Sequence, residues 1–139
     1  MNPAHQRYVD FLQRLTRDCL DELEQYVAAD VRFADPFNDL VGNDGMKRVF
    51  EHMFDTLGDV RFDVHDAVSE GPVCLLNWTF HARLRGQPWR FSGTSVVRFD
   101  DDGRVVEHRD HWDAARHFYE RIPVIGWLLR LIRNRLGVG

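Results

Sequence analysis

The run His108-Arg-Asp-His-Trp-Asp113 sets a histidine and a carboxylate two residues apart, in a segment that alternates like a β-strand. Residues i and i+2 of a strand share a face, so His108 and Asp110 stand side by side. An acid beside a histidine in a poorly hydrated wall can move protons. The carboxylate acts as base, and the imidazole orients it or serves as the acid. A second carboxylate, Asp35, follows Val31 and Phe33 at the same parity and precedes Pro36. Two acids sharing a low-dielectric cavity push one pKa upward, which suits a base working near neutrality. Each feature also has a plain structural reading. His108 and Asp110 can bond each other and stiffen a core, and Asp-Pro can simply end a strand.

The period of the strands decides which side chains face inward. Around Arg104–Trp112 one set is Val105, Glu107, Arg109, His111 and Asp113, nearly all charged, which assigns it to water. The other set, Val106, His108, Asp110 and Trp112, is assigned to the core. On Val73–Arg83 the apolar set is Cys74, Leu76, Trp78, Phe80 and Ala82. Trp78, Phe80 and Trp112 would therefore wall a cavity for a flat, apolar molecule. Ser95 is not flanked by an elbow-type glycine motif, so no nucleophile is expected there. His108 and Asp110 supply two metal ligands at most, and neither a metal nor a cofactor is expected.

Helical periodicity marks Tyr8–Val27 as one long amphipathic helix with a possible break near Asp18, and Met46–Leu57 as a second helix. After Gly58 the period changes to two. Strands are expected around Val60–Val64, Val73–Arg83, Trp89–Phe99 and Arg104–Trp112, with turns at Glu70-Gly-Pro72, Arg85–Pro88 and Asp100–Gly103. Helices followed by a meander of strands imply an α+β fold, its helices packed on one face of a curved antiparallel sheet. The apolar segment 122–136, with Arg130, Arg133 and Arg135 near its end, reads as a last helix. It is expected to act as a lid at the pocket mouth or in a dimer seam rather than on a membrane surface.

A chain of 139 residues with 44% hydrophobic and 29% charged residues supports a single domain, 1–139. Its net charge of -4 speaks against wholesale nucleic-acid binding. Cys19 and Cys74 share no metal or redox spacing and read as buried thiols in a reducing, bacterial cytoplasm. No run approaches the roughly 18 apolar residues of a membrane span.

Several segments resemble ketosteroid isomerase and its SnoaL-like relatives, of nuclear transport factor 2-like fold. They are Gln6-Arg-Tyr-Val9, Ala28-Ala-Asp-Val-Arg-Phe-Ala-Asp-Pro36, Gly42 before the second helix, and Val97-Arg-Phe-Asp-Asp-Asp-Gly-Arg-Val-Val106. The resemblance implies a cone-shaped sheet around the N-terminal helices and a small-molecule pocket; a homodimer is expected because the outer sheet face and the apolar segment 122–136 would otherwise stay exposed. It matches Asp35 to the isomerase's general base and Tyr8 to its oxyanion-hole tyrosine. Ser95 falls where the isomerase keeps a protonated aspartic acid, and Asp110 where it has an alanine. The segment His108–Asp113 is also similar to limonene-epoxide-hydrolase-type proteins, in which Asp110 matches an acid that positions water. The partner Arg-x-Asp of those proteins falls near Trp78-Thr-Phe80, where both charges are missing.

The resemblance thus implies a cofactor-free isomerase, cyclase or dehydratase acting on a polyketide, terpenoid or steroid-like molecule. Asp110, Asp35 and His108 would be catalytic, and Tyr8, Trp78, Phe80, Ser95 and Trp112 would contact substrate. The alternative is a ligand-binding or dimerisation module without chemistry.

Overall fold

The computed structural model describes residues 1–138. Asn2 opens the first helix, α1 (Pro3–Gln13), by accepting the Ala4 N–H at 2.8 Å, with Pro3 in the first turn. Tyr8, Phe11 and Leu12 form its buried stripe. The long helix expected up to Val27, with a possible break near Asp18, is two pieces, and the break falls slightly earlier, between Arg14 and Thr16. The chain turns extended at Thr16 and continues as a 3₁₀ segment, Arg17–Gln25, and Val27 already belongs to a strand. Cys19 is only half-buried, because its thiol accepts the Thr16 N–H at 3.1 Å and so helps start that segment. Its buried residues, Leu20 and Leu23, stand three apart, a spacing both helix types share, which hides the difference.

The strands are β1 (Val27–Ala34), β2 (Asp39–Val41), β3 (Gly58–Glu70), β4 (Val73–Leu84), β5 (Gln87–Phe99) and β6 (Val105–His111). Helix α2 (Asn43–Thr56) lies between β2 and β3. One six-stranded sheet runs in the order β2-β1-β6-β5-β4-β3. Neighbours pair antiparallel with one exception, since β1 runs parallel to β6, so the wholly antiparallel sheet expected from the meander needs correcting. The long crossover through α2, β3, β4 and β5 makes a parallel pair possible. Its register sets Phe33 against His108 and Ala34 against Arg109, so Asp35 and Asp110 follow at the same end of the sheet.

The inner face of β4 is as expected, with Cys74, Leu76, Trp78, Phe80 and Ala82 all buried. On β6 the simple alternation fails once. Arg98 pairs with Glu107 but Phe99 pairs with Val105, leaving Val106 as the extra residue of a bulge. Val105, not Val106, is therefore the buried residue. Beyond the bulge, His108 and Asp110 regain the inward parity.

After β6 come a short helix α3 (Ala114–His117), a 3₁₀ turn Tyr119–Arg121, and α4 (Ile125–Leu136). The indole of Trp89 on β5 holds α3 by donating to the His117 carbonyl at 2.8 Å. No helix among the described residues is long and apolar enough to cross a membrane.

Candidate active site

Asp110 is the end point of a directed hydrogen-bond network. Its Oδ1 accepts the Ser95 hydroxyl at 2.5 Å and His108 Nε2 at 2.7 Å. Behind Ser95, Trp78 Nε1 donates to the serine Oγ at 2.8 Å, which turns the serine hydrogen toward Asp110. Behind His108, the Tyr8 hydroxyl meets Nδ1 at 2.7 Å. That nitrogen is its one described partner, so the buried O–H is satisfied by donating to it. The remaining ring hydrogen then sits on Nε2 and points at Asp110. Burial pushes the Tyr8 phenol well above its ordinary range, and the negative charge of Asp110 adds to this, so Tyr8 stays a donor. Two donors thus converge on one oxygen of Asp110. No described hydrogen bond reaches Oδ2, and the side chain keeps 18% of its surface exposed.

Asp110 lines a cavity of about 730 Å³ together with Phe33, Asp35, Trp78, Phe80, Phe91 and Trp112. Most of the lining is apolar, with Asn38, Arg48, His52 and Thr56 as the other polar contributors. The size is that of a typical small-molecule site. Phe91 and Trp112 stack with ring centroids 4.1 Å apart, and Phe37, Phe118 and Tyr119 extend the aromatic wall. A smaller recess of about 20 Å³ adjoins Ser95, His108 and Asp110, room enough for one water with polar partners. No group of three or more His, Cys, Asp or Glu among the described residues is placed to hold a metal ion.

Of the residues singled out from sequence, Asp35, Asp110, Trp78, Phe80 and Trp112 meet at the main cavity. Ser95 and His108 border only the small recess. Tyr8, 1% exposed, lines neither of these spaces and stands behind His108. The oxyanion-hole position implied for it is therefore corrected to that of a donor to the histidine. The segment 122–136 does not line the cavity; Phe118 and Tyr119, just before it, do. Phe91 and Gly93 were missed. Gly93 pairs with Trp78, and its bare backbone is what lets the indole lie across β5 to reach Ser95. An isolated glycine inside a strand was the available signal.

Asp35 heads a tight loop. Its Oδ1 accepts the backbone N–H of Phe37 and of Asn38, each at 2.7 Å, and the Asn38 amide adds bonds at 3.1 and 3.2 Å. Burial raises its pKa, these bonds pull it back, and the charge of Asp110 raises it again.

Two expectations follow from this geometry. Tyr8→Phe leaves His108 Nδ1 buried without a donor and should cost about 1–3 kcal/mol of stability, read by urea denaturation. Binding of an apolar dye in the cavity should be unchanged, since Tyr8 does not line it. A dye affinity that falls with the stability would contradict this placement.

Asp35→Asn tests the raised carboxyl. A folded-state pKa above the unfolded value favours the neutral acid. That contribution is complete below the ordinary value of 3.8 and is lost as pH rises through the raised one. Asparagine never ionises and can still accept the Phe37 and Asn38 N–H groups. The variant's denaturation midpoint should therefore gain on the wild type as pH climbs from that region toward neutrality. A difference that stays flat with pH would contradict the raised value.

A family model described as "SnoaL-like domain" matches residues 6–108. The chain belongs to the SnoaL-like domain family. Solved structures agree on the nuclear transport factor 2-like fold. An NTF2-like protein of unknown function from Burkholderia pseudomallei is similar at TM-score 0.73 and 20% identity, covering 95% of this chain and 98% of that one. An LEH-like epoxide hydrolase from M. tuberculosis is similar at TM-score 0.71 and 20% identity, covering 98% and 94%. TerC, co-crystallised with polyporic acid, is similar at TM-score 0.69 and 17% identity, covering 80% and 92%. At these identities the likeness is one of fold. Among curated proteins no match is found.

Proposed function

We propose that this SnoaL-like protein is a cofactor-free, proton-transfer enzyme of the isomerase, cyclase or dehydratase kind, with Asp110 as its base. The observation that carries the reading is the Asp110 carboxylate itself. One oxygen is held by Ser95 and His108, and the other has no partner among the described residues, in a side chain that lines a largely apolar cavity. A base so held needs little reorganisation to act. The free oxygen would take a proton from carbon next to a carbonyl, leaving the electron pair on the substrate as an enolate. The same carboxyl would then return the proton to a second position. Trp78, Phe80, Phe91 and Trp112 favour a flat, apolar substrate of polyketide, terpenoid or steroid size. Among the neighbours of this fold, an epoxide hydrolase and a protein holding polyporic acid fit such a pocket chemistry.

The test is hydrogen exchange. Cyclic ketones and 1,3-diketones of increasing size are incubated with the protein in deuterated buffer and followed by NMR. Deuterium entering at one carbon faster than in buffer supports the base. Saturable binding of such compounds without exchange would favour a ligand-binding module of the same fold.

A further inference from the structure

Helix α4 is amphipathic, but it is mounted the wrong way round for a free globular surface. Its polar edge faces the body. Arg133 Nη2 pairs with the buried carboxylate of Glu120 at 2.8 Å, and Arg130 donates to the Glu120 backbone carbonyl. Gly126 lies so close to that same turn that an added Cβ would fall 2.1 Å from the Glu120 oxygen. At 100° per residue, the opposite arc carries Ile125, Trp127, Leu128, Leu131, Ile132 and Leu136. All six are exposed, Trp127 at 62% and Leu128 at 50%.

We propose that this face docks α4 onto an anionic bilayer surface. The charge pattern selects that partner. From Arg121 onward the chain holds four arginines, of which Arg133 alone has an acidic partner among the described residues, Glu120, whereas the chain as a whole is net -4. Arg130 and Arg133 lie on the body side, and Arg135 falls within the outward apolar arc one residue from the helix end, where its long side chain can reach out of that arc to headgroup phosphates. Trp127, at the border of the apolar arc, takes the place that indoles favour at a membrane interface. A second copy of the chain is a poorer occupant. Two α4 helices face to face would bury Arg135, which lies within the apolar arc, with no acidic residue from either helix to pair with it. Among the other exposed apolar residues, Val68 and Leu75 are cross-strand neighbours on β3 and β4, and Val41 lies at the far edge of the sheet on β2, so none of them continues the α4 face. The inference stands apart from the role of Asp110. Docking would, however, hold the aromatic mouth at Phe118 and Tyr119 near the bilayer, from which an apolar molecule could pass into the cavity.

The experiment is co-sedimentation of the full chain with vesicles of phosphatidylcholine, alone or mixed with phosphatidylglycerol. The expected result is binding to the mixed vesicles, weaker on the neutral ones and weakened by salt. Trp127 fluorescence should shift to the blue on binding, and Trp127→Phe should lose most of that shift while still binding. Leu128→Asp with Leu131→Asp, both exposed in the free protein, should cut the bound fraction about tenfold or more. Their circular dichroism and cavity-dye binding should match the wild type. Absence of binding to either vesicle overturns the proposal. So does a wild-type dimer that the double substitution turns into monomers while neither form binds vesicles, because a second copy would then be the true cover.

Discussion

Asp110→Asn is expected to fold normally and to lose proton-transfer activity by about 10²–10⁴-fold, the usual worth of a general base. The amide is nearly the same size as the carboxylate. Its Oδ1 can keep the bonds from Ser95 and His108, and its NH₂ then occupies the place of the unpartnered oxygen. A lone pair facing the cavity becomes a pair of N–H donors, so the base is gone while the network survives. Exchanging charged for neutral acceptance weakens those two bonds, and a stability loss of about 1 kcal/mol is expected. Deuterium exchange on the best ketone and urea denaturation, measured on one preparation, separate the two roles. Full exchange activity alongside a stability loss of about 1–3 kcal/mol would mean that Asp110 only stiffens the core.

Gly93→Ala should disturb the same network from behind. An added Cβ would stand 2.5 Å from Cη2 and 2.7 Å from Cζ2 of Trp78, and 2.9 Å from the His111 carbonyl oxygen. The carbonyl belongs to the sheet and has little freedom, so the indole must swing away. Overpacking of this kind costs about 1–3 kcal/mol. Loss of the Trp78–Ser95 bond adds about 0.5–1.5 kcal/mol and frees the serine hydroxyl to turn from Asp110. The variant should lower the denaturation midpoint, change the near-ultraviolet dichroism of the tryptophans and weaken dye binding. Combining it with Trp78→Phe, which removes the colliding ring atoms, should recover part of the penalty. Strictly additive effects of the two substitutions would show that Gly93 and Trp78 are not coupled.

The legible parts of this chain were those where a local rule meets no exception. The β4 face could be read from alternation alone, because that strand is regular and one side of it is buried. His108 and Asp110 were legible because β6 alternates regularly beyond its bulge. Val106 was not, because a bulge changes parity through a single residue and leaves no mark in composition. The break after α1 was misplaced, since the 3₁₀ segment keeps helix-like apolar spacing. Tyr8 was found, but its work was not. Whether a buried phenol faces a ligand or a histidine depends on a contact one hundred positions along the chain. The outward-facing α4 was equally hidden, because its sequence shows an amphipathic helix without showing which side the body holds.

The parallel pairing of β1 with β6 bears on when the site comes into being. Phe33 lies beside His108, 75 positions later. Closing so long a loop costs entropy before any contact repays it, and such non-local pairs slow folding. The β3–β6 meander, built from neighbouring hairpins, can assemble without β1. A chain caught at that stage would already hold Ser95, His108 and Asp110 on adjacent strands, but Asp35 and Phe33 would still be absent from the cavity wall. The complete pocket therefore belongs only to the finished fold, and an incompletely folded chain would expose a lone acid rather than a working site.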